Sequence, residues 1–115
     1  MSETTTAKAV VHGTAAYRER IAMLPGAVFE ATLLDVSRQD TAAEELGSVR
    51  VSDPGQVPIQ FEISYDPAKI DDRHSYAVRA RIVNGERVMF TTDRVYPVLT
   101  QGNGNIVDML LIKVR

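Results

Sequence analysis

The chain contains no cysteine, which excludes disulfides and thiolate metal sites and leaves oxidising and reducing compartments equally open. It has no run of about eighteen apolar residues, the length a membrane-crossing helix needs. Residues Met1 to Thr6 hold neither the basic nor the apolar stretch of a secretion signal. Histidine is scarce: His12 and His74 are far apart, and neither has a second ligand at metal-site spacing. No zinc site is expected, and both imidazoles read as solvated or backbone-bonded. Asp66, Asp71 and Asp72 share a loop but lack the alternating oxygen ligands and central glycine of a calcium loop, so turn and capping duty is assigned to them. No Gly-x-Ser-x-Gly elbow surrounds Ser37, Ser48, Ser52, Ser64 or Ser75. The glycine-rich stretch Gly102-Asn-Gly-Asn105 falls between strands rather than before a helix, so it reads as a flexible hairpin tip and not a phosphate loop. An excess of one charge is also missing. With 13 basic and 15 acidic residues the formal charge is -2, which gives no footprint for nucleic acid or an anionic membrane. The expectation is therefore no catalytic residue, no cofactor and no metal, with any partner-binding surface left unassigned.

What is present is ordinary globular material, 44% hydrophobic and 24% charged over 115 residues, enough for one core and one domain. Residues 1–7 read as a disordered polar tail and 8–115 as a single domain, expected to be monomeric. Two-residue alternation dominates. Val57, Ile59, Phe61 and Ile63 share one face, with Pro58, Gln60 and Glu62 on the other. Pro58 cannot donate to a ladder, which places that strand at a sheet edge or beside a bulge. In the same way Tyr76, Val78, Ala80 and Ile82 point inward while Arg79 and Arg81 face water. Further strands are expected over Ala9 to Tyr17, Ala27 to Val36, Leu46 to Val51, Val88 to Thr92, and Ile106 to Val114. The fold class that follows is all-β, an antiparallel sandwich of about seven strands, immunoglobulin-like.

Several local geometries follow from the same reasoning. Ile106 to Val114 is apolar on both faces between 109 and 112, so it is expected to be central and the most protected strand. Asp40 to Leu46 reads as a single helical turn or a loop, and Asp66-Pro67 as a capped short turn. A three-residue loop, Val83 to Gly85, with Gly85 left-handed in a bulge, pairs Ala80 with Val88 and Val78 with Phe90. Tyr76 follows a corner at the start of a strand, the spacing of a tyrosine corner whose hydroxyl bonds upstream backbone. Arg79, Arg81, Arg87 and Arg94 form either a basic stripe for a carboxylate-bearing partner or a solvated face interspersed with Glu30, Glu62 and Glu86, the second being favoured. Exposed Val and Met on the last strand are the one hint of an apolar docking surface.

A set of blocks in fixed order is more specific: Tyr17-Arg-Glu-Arg-Ile21, Leu24-Pro-Gly-Ala27, Leu33-Leu-Asp-Val-Ser37, Gly55-Gln-Val-Pro-Ile-Gln-Phe-Glu62, Tyr76-Ala-Val-Arg-Ala-Arg-Ile82, Phe90-Thr-Thr92 and Tyr96-Pro-Val-Leu-Thr100. Together they resemble the YbaY/YscW family of bacterial envelope lipoproteins over nearly the whole chain. The resemblance implies a non-enzymatic β-sandwich, lipid-anchored and facing the periplasm at the outer membrane. It also implies a protein-binding or pilotin-like chaperone role toward an outer-membrane or secretion-system protein. The lipid-accepting cysteine of such proteins is absent from this chain, so the periplasmic face of the outer membrane is expected if the N-terminus was trimmed of a lipoprotein signal, and the cytoplasm otherwise. The competing expectation is a small-ligand binder or enzyme whose site converges from distant strands.

Overall fold

The computed structural model describes residues 9–38 and 40–114; the tail assigned to residues 1–7 lies outside them. Alternation along the chain becomes nine strands: β1 (Ala9–Ala16), β2 (Ala27–Asp35), β3 (Glu44–Ser52), β4 (Ile59–Tyr65), β5 (Tyr76–Asn84), β6 (Arg87–Thr91), β7 (Pro97–Val98), β8 (Ile106–Leu110) and β9 (Ile112–Lys113). A single 3₁₀ turn, Pro67–Lys69, joins β4 to β5, and the Asp66 carboxylate caps it by accepting from the Ala68 amide, as expected of that Asp-Pro pair.

The strands form two sheets in the orders β4-β1-β8 and β3-β2-β5-β6-β9, with β7 also pairing with β5. The inward sets are those the alternation assigned. Ile59, Phe61 and Ile63 are buried while Gln60 and Glu62 are exposed, and Tyr76, Val78, Ala80 and Ile82 are buried while Arg79 and Arg81 are not. Between the sheets Phe29 meets Phe61 with ring centroids 5.2 Å apart. Gly13, directly opposite Phe61 across the β1–β4 pair, has no side chain to obstruct that ring, which lies over the glycine. At the far end of β1, Tyr17 stacks on Phe90 at 4.2 Å, extending the core past the strand's end.

The sandwich expected from the sequence is therefore present, with corrections that have physical causes. Among the described residues there are nine strands rather than seven, because β7 spans two residues and is too short to show a period, and because the strand expected over Ile106 to Val114 is divided into β8 and β9. One pair is parallel, not antiparallel: β8 runs alongside β1, with His12 opposite Ile106. The path also differs from an immunoglobulin domain, where the first two strands share a sheet, since β1 and β2 here lie in different sheets. The segment from Ile106 to Val114 is not a central strand. It is an edge of the small sheet as β8, changes sheet at the buried Leu111, and becomes an edge of the large sheet as β9. Its two apolar faces reflect that crossing, since successive residues serve different sheets. Asp40 to Leu46 holds no helical turn; β3 begins at Glu44. Gly102 to Asn105 is a connection between the two sheets rather than a hairpin tip, closed by the Leu99 amide donating to the Gly104 carbonyl.

The β5–β6 hairpin also departs from expectation. Asn84 pairs with Arg87 around a two-residue turn, Gly85-Glu86, with Gly85 at φ 63°. The left-handed glycine was expected, and it suits a turn whose first central residue needs positive φ. The bulge lies further on, at Met89, so that Ile82 rather than Val78 faces Phe90. Apolar residues still meet, which is the constraint that fixes register.

Tyr76 is a tyrosine corner. It is 2% exposed, and its hydroxyl bonds backbone five residues upstream, accepting from the Asp71 amide at 2.9 Å rather than donating to a carbonyl. A second tyrosine protects the open side of β8. The Tyr96 hydroxyl accepts from the Leu110 amide at 3.0 Å and donates to the Leu110 carbonyl at 3.2 Å. That occupies one of the backbone positions an edge strand leaves free.

Candidate functional site

Three places gather chemistry-bearing or unsatisfied side chains. The first lies where β2 ends against the loop before β5. Asp35, at the end of β2, holds His74 Nδ1 at 2.7 Å, and His74 Nε2 lies 3.9 Å from an Asp71 oxygen. The Ser37 amide donates to Asp35, the Ser75 amide donates to Ser37 Oγ, and the Thr100 hydroxyl donates to the His74 carbonyl at 2.6 Å. An acid–histidine pair of this kind is half of a nucleophilic triad. The other half is missing among the described residues: Ser75 Oγ bonds Gln101 and Ser37 Oγ accepts from backbone, so no hydroxyl engages His74 Nε2. The cluster ties β2 to the corner loop and to the loop after β7. His74 is thus side-chain paired, not merely solvated, and 39 residues separate it from Asp35, a distance over which no sequence spacing signals a contact.

Burial alone would raise the Asp35 carboxyl, but the hydrogen bonds from Ser37 and His74 outweigh it and hold the group below its ordinary value. Arg73 hydrogen-bonds Asp71 and draws it down to about 2. A depressed carboxyl contributes stability that is present above the unfolded pKa of about 4 and is lost as pH falls through the folded value. Thermal melts between neutral and strongly acid pH should therefore show Asp35→Asn to be less stable than the parent at neutrality, with the difference closing below about pH 4. A constant difference across that range would dissociate Asp35 from the acid limb.

The second place is the outer face of the large sheet. Glu30 stands between Arg50 and Arg81 in register, with contacts of 3.4 and 2.7 Å. Arg79, Arg81, Arg87 and Arg94 are all exposed, and Arg94 lies 3.9 Å from Asp93. On the small sheet His12 pairs with Glu62 at 3.1 Å, both exposed. Exposed pairs of this kind contribute at most about 1 kcal/mol each. Charge reversal at Glu30 (Glu30→Lys) breaks both of its pairs and sets a lysine between Arg50 and Arg81, so it is expected to destabilise the fold by about 1–3 kcal/mol, measured by denaturant titration at low salt.

The third place is apolar and was not singled out by sequence reasoning. The loop from Tyr17 to Gly26 roofs a cavity of about 210 Å³ whose walls include Tyr17, Ile21, Met23, Leu24, Met89 and Phe90. Three hydrogen bonds pin the roof: Tyr17 hydroxyl to the Ile21 carbonyl, Met23 amide to the Gln56 side chain, and Asn84 side chain to the Pro25 carbonyl. Ile21 and Leu24 remain 48% and 52% exposed at the rim. The signal available in the sequence was the non-alternating apolar run Ile21-Ala-Met-Leu24, an uncommon composition for a loop. The apolar hint placed on the valine and methionine of the last strand is not met: Val107 and Met109 are buried in the core, and the exposed residues there, Ile106 and Ile112, lie in different sheets.

The model of the type III secretion system lipoprotein chaperone family, YscW, matches residues 6–111. The chain belongs to the YscW family. It is 34% identical over 106 residues to the uncharacterized lipoprotein YbaY of Escherichia coli K12, covering 91% of this chain and 55% of that protein. The chain thus spans about half the length of that relative. It is similar throughout to the solved structure of an alternative pilotin from the type II secretion system of Vibrio cholerae, with a TM-score of 0.90, 38% identity, and 95% of this chain and 99% of that one covered. The similarity to that pilotin structure extends over nearly the whole of both chains.

Proposed function

We propose that this YscW-family domain acts at the periplasmic face of the outer membrane as a pilotin-like chaperone. In this reading it binds an outer-membrane component of a secretion system, of the secretin kind, and assists its delivery without chemistry of its own. The observation that carries the reading is the match of nearly every residue to a pilotin fold. The described surface agrees with it: the Asp35–His74 pair has no hydroxyl on its free imidazole nitrogen. The apolar cavity also falls below the roughly 300–1,000 Å³ typical of small-ligand sites, and its polar side chains are Asn84 and Tyr17, whose hydroxyl already donates to the Ile21 carbonyl. A binding module needs a surface rather than a converging set of polar groups.

The test is the fate of the secretin in cells that lack the protein. Loss should reduce the secretin multimer recovered from the outer-membrane fraction, the full-length protein should restore it, and the two should co-purify. Undiminished multimer, together with no co-purification and reproducible hydrolysis of a general esterase, phosphatase or glycosidase substrate, would overturn the reading in favour of an enzyme.

A further inference from the structure

The cavity under the Tyr17–Gly26 loop combines an apolar interior with a rim rich in cations. Its lining includes Tyr17, Ile21, Asn84, Met89 and Phe90. Arg18 and Arg20 adjoin Tyr17 and Ile21 along the chain. Arg87 faces Asn84 directly across the β5–β6 pair, and Lys113 faces Phe90 across β6–β9. Directly opposed residues on neighbouring strands share a face, so Arg87 and Lys113 stand on the cavity's side of the sheet. Arg81, next to Ile82, is turned to the other face and held by Glu30. The charged residues that adjoin a lining residue along the chain, or oppose one in the β5–β6 and β6–β9 pairs, are thus cations; at the β2–β3 edge the Asp53 amide bonds the carbonyl of the lining Ala27. The nearest acids in sequence, Glu19 and Glu86, lie one position further out. Elsewhere on the described surface Arg50, Arg73, Arg81 and Arg94 each have an acidic neighbour, whereas Arg38, Lys69 and Arg79 have none. Arg18, Arg20, Arg87 and Lys113 have no ion-pair partner among the described residues.

The geometry points to a docking site for one large aliphatic side chain of a partner protein segment that carries acidic residues on either side of that anchor. This deepens the chaperone reading and rests on it. The volume, about 210 Å³, suits an aliphatic anchor and little more. The half-exposed Ile21 and Leu24 supply the apolar lip, and the four unpaired cations supply complementarity to flanking carboxylates. An anchor buried in such a pocket carries most of an interface's energy, and the surrounding charges set approach and discrimination.

Two variants and three peptides test it. Ala22, exposed at the cavity wall, becomes tryptophan in Ala22→Trp to plug the site. Arg87→Glu with Lys113→Glu reverses the rim from exposed positions, and nuclear magnetic resonance spectra of both proteins check the fold. The probes are synthetic amphipathic peptides with one leucine pattern: one with glutamates on its polar face, one with lysines, and one with glutamates whose leucines are replaced by serine. The glutamate–leucine peptide should bind best and shift the resonances of Tyr17, Met89 and Phe90, with affinity falling about tenfold or more in either variant. Equal binding of the lysine peptide, shifts that map elsewhere, or binding at this loop only to anionic lipid vesicles would overturn the proposal. In a parallel co-purification, secretin captured equally by wild type and Ala22→Trp would remove this site and leave the chaperone reading standing. Secretin captured by neither would remove the reading itself.

Discussion

Gly47→Ala is expected to lower the melting temperature by roughly 5 °C or more. Gly47 lies in β3 opposite Leu33. A Cβ added there would stand 2.5 Å from the Ser64 carbonyl oxygen and 2.9 Å from an Ile63 methyl. Both neighbours belong to β4, in the other sheet, so the glycine is where the edges of the two sheets come closest. A side chain can turn away from a clash, but a strand carbonyl cannot do so without moving its ladder. Overpacking of this kind costs about 1–3 kcal/mol, and in a domain of this size each kcal/mol is worth about 4–8 °C. Gly47→Val should cost more. Gly104→Ala is the control: nothing lies within 4 Å of an added Cβ there, and its melting temperature should match the parent. A Gly47→Ala protein that melts with the parent would mean the sheets stand further apart at this corner than described.

Tyr76→Phe is expected to destabilise the fold by about 1–3 kcal/mol, because the ring stays while the acceptor of the Asp71 amide is removed. The phenol is buried, so water cannot simply replace the lost oxygen. The damage should be concentrated in the corner. Asp71 also holds Arg73 through a charged pair and its own backbone contact, and His74 follows immediately, so hydrogen exchange should quicken from Asp71 to Ser75 before it does in β5. Unchanged melting and unchanged exchange in the Phe variant would remove the corner as a stabilising element.

The strands legible in the sequence were those with one wet face and one dry one. Val57 to Ile63 and Tyr76 to Ile82 alternate because water and core impose opposite demands on successive residues; the second lies as expected, and the first does so from Ile59, with Val57 and Pro58 preceding β4. Where a strand changes its surroundings within a few residues the rule fails, as at Leu111, where an unbroken apolar stretch indicates a change of sheet instead of a central position. The hairpin failed for a related reason. The reasoning demanded that apolar residues meet, but a bulge can restore that match in the loop or in the strand, and Met89 accommodates it in the strand. The corner tyrosine was legible because its partner is five residues away, whereas Asp35 and His74 were not, since their contact is made by the β2–β5 pairing. The apolar cavity fell between these cases. Its roof, Ile21 to Leu24, is visible as a run, but its floor comes from β5 and β6.

The position of β1 constrains the order in which the molecule can be completed. The first strand of the chain is the middle strand of the small sheet, between β4 and β8. A chain that emerges amino end first, from a ribosome or through any translocation pore, can form the β2–β3 and β2–β5 ladders while most of its tail is still hidden. It can add β4 to one side of β1, but the other side stays bare until Ile106 to Leu110 arrive. β8, which follows the other strands of its sheet in the chain, is therefore the strand that closes β1, and closure between segments so far apart in sequence is slow. During that interval β1 exposes unpaired backbone, so a shortened chain ending before β8 should associate with itself or be degraded even though most of its core residues are present.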